Sequence, residues 1–395
     1  MSLDRWILAH ARRLVRILLI LQIAGFAFFV AGTHGAFVAL PDPPTTTDFA
    51  SFYAAGRLAD AGRPEAAYDP AAHRTAEEAA IAPGVEEKRF LNPPPFLLVC
   101  APLARLPYLP AFLLFELTTA TLWLALTTRI AGGGTFATSC LAAIPAVWWA
   151  LGWGQNSFLS GSLMAAGTLL LRRRPWLAGA AFGALCFKPH FGLLIPMALL
   201  AGRHWRAIGG AALSAVGLCA LSALCFGAAT WRAFIAMALH ARQTVETGIQ
   251  LAGHVDAGGA ARLAGLAANA SWVLQACITL VAAACVVWAF AKTRRQTGAP
   301  ADAACAVLVS ATLAAMPFVL FYDLVMAGLA AAWLTRAALR TGWRPGEPTC
   351  LAACLLLSLV AFALAATLHL AVGVLVSPLL LGCAVARLAG HHSGD

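Results

Sequence analysis

Asp48 stands in the segment TTDFASFYAAG, directly ahead of Phe49, Phe52 and Tyr53. It follows a long apolar run by a few residues. A carboxyl group held between aromatic side chains at such a boundary loses part of its hydration. That raises its pKa and makes it a stronger base. The same position also suits the N-cap of a helix beginning at Phe49, and the two roles are compatible. Lys188 is one of only three lysines and interrupts another apolar stretch. Pro189 breaks the helix beside it and His190 adds a second titratable group. A Lys–His pair at an opened helix end suits a phosphate or pyrophosphate. The alternative is a lysine snorkelling from a hairpin tip.

Six more polar residues punctuate apolar sequence. Gln155 and Asn156, in GWGQNS, can exchange hydrogen bonds with hydroxyl or phosphate groups, or simply form a tight Gly/Asn turn. Asp323, next to Tyr322 in FYDL, can pair with Lys188, contact a ligand, or start a helix. Glu116 lies inside an apolar run and is expected to face the protein interior. His254 and Asp256 sit among glycines. They can order over a substrate or belong to a solvated loop. No metal-ligand spacing is present, and neither a metal nor a cofactor is expected.

The elements that must position these groups are membrane helices. Of the 395 residues, 61% are hydrophobic and 11% charged. Apolar runs of roughly 20 residues, enough to cross a bilayer, recur throughout. They are continuous rather than alternating, so helices are expected and a barrel is not. The net charge of +10 does not point to nucleic acid, because the basic residues form short clusters between apolar runs. The eleven cysteines lie in or beside those runs without a CxxC pair and are expected to be small packing residues. Arg5, Arg12, Arg13 and Arg16 precede a run too long for a cleavable signal, so it is expected to be the first span.

With the N-terminus cytoplasmic, the alternation runs as follows. A first span over residues 17–40 leads to an outer loop over 41–92, then a short re-entrant piece over 93–106. Spans over 108–128, 135–151, 157–171, 176–187, 191–201 and 207–226 precede a second outer loop over 227–266, and further spans complete one transmembrane domain. Each compact basic cluster then falls on the cytoplasmic side, as the positive-inside rule requires. TTDFASFYAAG, NPPPF, GWGQNS, FKPHFG and FYDL all fall on the other side. Intramembrane polar residues are costly and mark function by default.

The order DFASFYAAG, AAYDP, NPPPFLLVCAPLARLP, GQNSFL, LAGAAFGALCFKPHFGLLIP with RHWRA, then FYDLVM, resembles glycosyltransferase family 87 over about residues 17–334. The chain departs from the commonest pattern in lacking an aromatic ahead of the prolines of NPPPF. The resemblance implies an all-α polytopic membrane protein, a GT-C-like bundle of about 11–13 transmembrane helices with a helical first outer loop. It implies a bacterial inner-membrane enzyme acting at the periplasmic face. That enzyme moves a sugar, mannose-like by analogy, from a polyprenyl-phosphate donor to a lipid or glycan acceptor with inversion. Asp48 becomes the expected catalytic base. Lys188 and His190 become donor-phosphate ligands. Tyr53, Gln155, Asn156, Tyr322, Asp323 and His254 become substrate-positioning residues. The alternatives are a transporter or flippase of a lipid-linked saccharide and a non-catalytic envelope-assembly component. A transporter should show internal repeats and midplane polar groups.

Overall fold

A computed structural model describes residues 2–32, 38–39, 45–240 and 251–390. The far end of the expected first span, part of the first loop and residues 241–250 of the second loop lie outside the described residues. Apart from a two-residue antiparallel pairing of Val38–Ala39 with Thr45–Thr46, every regular element among the described residues is helical.

Among the described residues, six helices are long and apolar enough to cross a membrane. They include α1 (Leu3–Gly32), α5 (Tyr108–Ile130), α13 (Ala268–Lys292) and α16 (Glu347–Leu368). The other two are α11 (Trp205–His240), interrupted at Gly227, and the last helix, α17 (Val376–Ala389), with the short turn before it. A seventh crossing is possible through α6 (Thr135–Ala142) and α7 (Pro145–Trp153), which bend by 62° where Pro145 removes a backbone donor. Shorter apolar helices supply the rest. They include α4 (Leu97–Leu103), α8 (Ser157–Leu170), α9 (Pro175–Ala184), α10 (Ile195–Ala201) and α14 (Ala299–Ala315). Several of the 11–13 expected crossings are therefore half-length segments. Ala-rich α14 is buried along its whole length, whereas α1 buries no residue. Apolar side chains such as Leu213 and Leu224 remain exposed on α11, as lipid-facing helices require.

The basic clusters are joined to one another at one end of the bundle. Asp4 accepts from Gly346 N and from both the backbone and hydroxyl of Thr349, which pins α1 to the start of α16. Arg387 is fully buried against Glu347 and also donates to Thr341 and the Gly342 carbonyl. Lys292 donates to Leu388 O, Arg172 to Thr293 O, and Arg340 to Asp302 at 2.6 Å. Arg336, on α15 (Val325–Thr341), reaches the carbonyls of Arg129 and Ile130. The opposite helix ends carry the polar motifs.

Between α1 and α5, the chain folds as a compact helical cap. Here α2 (Phe49–Asp60) packs on α3 (Pro70–Ala80) and α4. Contact with α4 is close because Gly56 faces it. A Cβ at Gly56 would lie 2.3 Å from the Cys100 carbonyl oxygen. Gly56→Ala is therefore expected to cost about 1–3 kcal/mol, read as a lowered thermal unfolding midpoint in detergent. An unchanged midpoint would mean that the α2–α4 contact yields freely.

Candidate active site

The site is built on the turn between α7 and α8. Gly154 ends α7 in the left-handed conformation (φ +66°), as helix C-terminal glycines do. A Cβ there would meet the Phe49 Cβ at 2.6 Å, so the first residue of α2 rests directly on the turn. Alternate residues of this turn then reach outward. The Trp153 carbonyl accepts from Asp48 N at 2.8 Å. Gln155 Nε2 donates to Asp48 Oδ2. Ser157 Oγ donates to Asp323 Oδ1 at 2.7 Å. One short segment thus holds two carboxyl groups that are 275 positions apart in the chain (323 − 48).

The two acids differ in environment. Asp48 occupies the N-cap position of α2, but its carboxyl group makes no cap hydrogen bond. It is given instead to Gln155. The residue keeps partial exposure, yet protein encloses the carboxyl group. That burial raises its pKa, opposed by the Lys88 ammonium and the Gln155 hydrogen bond. Asp323 is buried and paired. Lys188 Nζ donates to Asp323 Oδ1 at 2.9 Å, and Leu320 N reaches Oδ2 at 3.3 Å. The Lys188 ammonium also lies 4.7 Å from the centre of the Phe191 ring. Of the roles open to Asp323 in the sequence, two are found together: pairing with Lys188 and a place in the first turn of a helix, where Leu320 N reaches it.

The other expected residues fall into two groups. His190 stands beside Lys188, and burial followed by the Lys188 charge lowers its pKa toward the neutral imidazole. Tyr322 is buried, and after that burial the carboxyl groups of Asp48 and Asp323 raise its pKa, which places the phenol under the influence of both acids. Asn156 is buried with no partner for Oδ1 among the described residues, leaving an acceptor for a ligand hydroxyl. Tyr53 is directed elsewhere. Its hydroxyl donates to Leu106 O at 2.8 Å and its ring stacks edge-on against Tyr108. His254 also stands apart from the two acids. Its Nδ1 lies 2.8 Å from Asp256 Oδ1, while Asp256 Oδ2 caps the short helix α12 (Ala257–Leu263) through Gly259 N.

His254 and Asp256 are 3% and 2% exposed, so the solvated-loop alternative does not hold for them. Val255 N donates to Val319 O and Phe321 N to Gly253 O. The second loop is therefore stitched to the segment that carries Tyr322 and Asp323.

Three groups in the cap were missed in the sequence. Lys88 Nζ lies 5.4 Å from the centre of a Trp153 ring and pairs with Glu86 at 3.0 Å. Among charged groups it acts most strongly on Asp48. Its rarity as a lysine is the signal that should have drawn notice. His73 and Glu77 form a buried i,i+4 pair on α3, 3.9 Å apart. Glu77 Oε2 accepts from Lys88 N at 3.1 Å, and burial pushes the Glu77 pKa up to about 8. No cluster of three or more metal-ligating side chains occurs among the described residues.

This arrangement can deprotonate a bound hydroxyl at Asp48 while holding an anion near Lys188. Comparison with known proteins bears on that chemistry. No curated protein and no solved structure matches the chain. The model for glycosyltransferase family 87 matches residues 90–317, a shorter stretch than the resemblance read from the motifs. Gln155, Asn156, Lys188, His190 and His254 lie within it. Asp48, Tyr53, Tyr322 and Asp323 lie outside. Because the match spans more than half of the chain, and multiple apolar helices accompany it, the protein belongs to glycosyltransferase family 87 and is a multi-pass membrane glycosyltransferase.

Proposed function

We propose that this enzyme transfers a hexose, mannose-like by family analogy, from a polyprenyl-phosphate donor to a lipid or glycan acceptor. Transfer takes place at the periplasmic face of a bacterial inner membrane, with the N-terminus in the cytoplasm. The carrying observation is the division of labour between two acids on one turn. Asp323 is committed to Lys188, whereas Asp48 is partly exposed and, among the described residues, its carboxyl group is held through the Gln155 amide. Asp48 takes the proton of the acceptor hydroxyl as its oxygen attacks the anomeric carbon. The bond from that carbon to the phosphate oxygen breaks, the configuration inverts and polyprenyl phosphate leaves. Lys188 stabilises the charge that collects on the departing phosphate. Gln155, Asn156, Tyr322 and His190 line the remaining polar surface. Tyr53 and His254 support the site from behind, through Leu106 and the 319–321 segment.

A lipid-borne donor also fits an apolar groove of about 200 Å³ between α5, α7 and α8. Leu117, Trp123, Trp148, Leu151 and Phe158 line it, and Leu151 and Phe158 bracket the Gly154–Ser157 turn. The polyprenyl chain would lie there with its phosphate toward the turn.

Purified protein supplied with a radiolabelled polyprenyl-phosphate sugar and envelope extract is expected to produce a labelled glycolipid or glycan. Transfer from a nucleotide sugar alone would overturn the donor assignment. In a cysteine-free background, single cysteines introduced beside Asp48, Gln155, His190 and Asp323 are expected to react with an impermeant reagent from the periplasm. Protection at all four, with labelling from the cytoplasm, would reverse the orientation.

A further inference from the structure

The site contains a charge imbalance. The donor phosphate carries one negative charge as a diester and up to two once the sugar has left, since a phosphate monoester has a second pKa near ~6. Lys188 is already paired with Asp323 at 2.9 Å, and His190 is held toward its neutral form by burial and by Lys188. Neither adds a free positive charge. Asp48 contributes a negative charge until it takes the acceptor proton.

Lys88 supplies what is lacking. Along the α7–α8 turn, residues 153, 155 and 157 meet in succession Lys88, Asp48 and the Asp323–Lys188 pair. Asp48 therefore lies between two ammonium groups, and both act on its carboxyl group. The Lys88 backbone is fixed by Glu77, which is wholly buried. The same segment is tied to the Lys188 hairpin four residues on, where Asn92 Nδ2 donates to Phe187 O at 3.3 Å. The Lys88 side chain is 17% exposed and its partner Glu86 is 47% exposed. Such a solvent-accessible pair contributes little, so an incoming phosphate can displace Glu86 at small cost.

We propose that Lys88 is a second donor-phosphate ligand, its ammonium exchanging Glu86 for the phosphate so that Lys88 and Lys188 hold it together. This rests on the polyprenyl-phosphate donor proposed above. The test measures binding of a short-chain polyprenyl phosphate without sugar, and of the matching polyprenol without phosphate, to full-length protein in nanodiscs. Wild type should prefer the phosphate. Lys88→Ala should weaken phosphate binding roughly tenfold or more, the scale of a lost charged contact, and leave polyprenol binding unchanged. Lys88→Arg should restore most of the loss, and Glu86→Gln should tighten binding. In turnover assays the donor KM should rise more than the acceptor KM. Equal phosphate binding by wild type and Lys88→Ala, with both folded by thermal unfolding, would overturn the assignment of Lys88. A wild type that does not distinguish phosphate from polyprenol would instead overturn the donor reading itself.

Discussion

Asp48→Asn is expected to reduce transfer by about 100- to 10,000-fold, the usual contribution of a positioned general base, while expression and thermal stability stay near wild type. The amide keeps the size of the carboxyl group and can still accept from Gln155 Nε2, so the cap should keep its place. Donor binding should persist, because the phosphate is held by other groups. An active Asp48→Asn enzyme would remove the residue from catalysis. The pH profile gives an independent reading. Burial holds the Asp48 pKa above its ordinary value, so kcat/KM should fall as pH drops through a midpoint above the usual carboxylate range. The linkage sign separates this from unfolding. A carboxyl group whose pKa is raised on folding favours the folded state at low pH, and that contribution fades as pH rises through the folded-state pKa. Acid that silences the base therefore does not destabilise the protein through Asp48.

The second large effect concerns the Lys188–Asp323 pair. Lys188→Met should cost about 3–5 kcal/mol, because removing one partner strands a buried charge. Asp323→Asn should do the same from the other side. The double variant Lys188→Met/Asp323→Asn should regain much of that stability, since neither charge is left alone, yet stay inactive for want of a cation at the phosphate. A double-variant cycle read by thermal unfolding and by transfer separates the two roles. Additive stability losses would show that the ion pair is not the coupling between these residues. Retained activity in the double variant would remove Lys188 from the phosphate.

The sequence reading succeeded where polar residues were scarce. A lysine or an aspartate inside apolar helices must find a partner, so Lys188 and Asp323 stood out and were found together. Asp48 stood out by its place at the edge of an apolar run, ahead of Phe49, Phe52 and Tyr53. Lys88 did not, because it sits in the run EEKR, where a charged side chain ordinarily meets water. Only the fold lays it over Trp153. His73 and Glu77 were hidden in a charged helix of the cap, whose sequence suggests solvent, since their burial depends on packing between α2 and α3. The glycines around His254 suggested looseness but permit tight packing. A Cβ at Gly259 would lie 2.4 Å from the His254 Cβ. The expected crossings include half-length segments for a related reason. Ala- and Gly-rich segments broken by proline can end halfway when neighbouring helices cover their ends. Hydropathy does not reveal those neighbours.

The turn from Trp153 to Ser157 has a consequence for geometry. Gln155 and Ser157 hold the two acids from positions two residues apart, a backbone span of at most about 7 Å. In an inverting displacement the base and the departing phosphate stand on opposite sides of one carbon. The Asp48 side and the Lys188 side are thus anchored by hydrogen bonds, through Gln155 and Ser157, to a single short peptide shared by both. Motions of the second loop can admit or exclude substrates, whereas displacement of the cap would carry Asp48 away from Gln155 and widen that gap. A one-residue insertion in this turn should consequently abolish transfer for every donor and acceptor alike. Changes in the cap away from Asp48 and Lys88 should instead alter which acceptor is used.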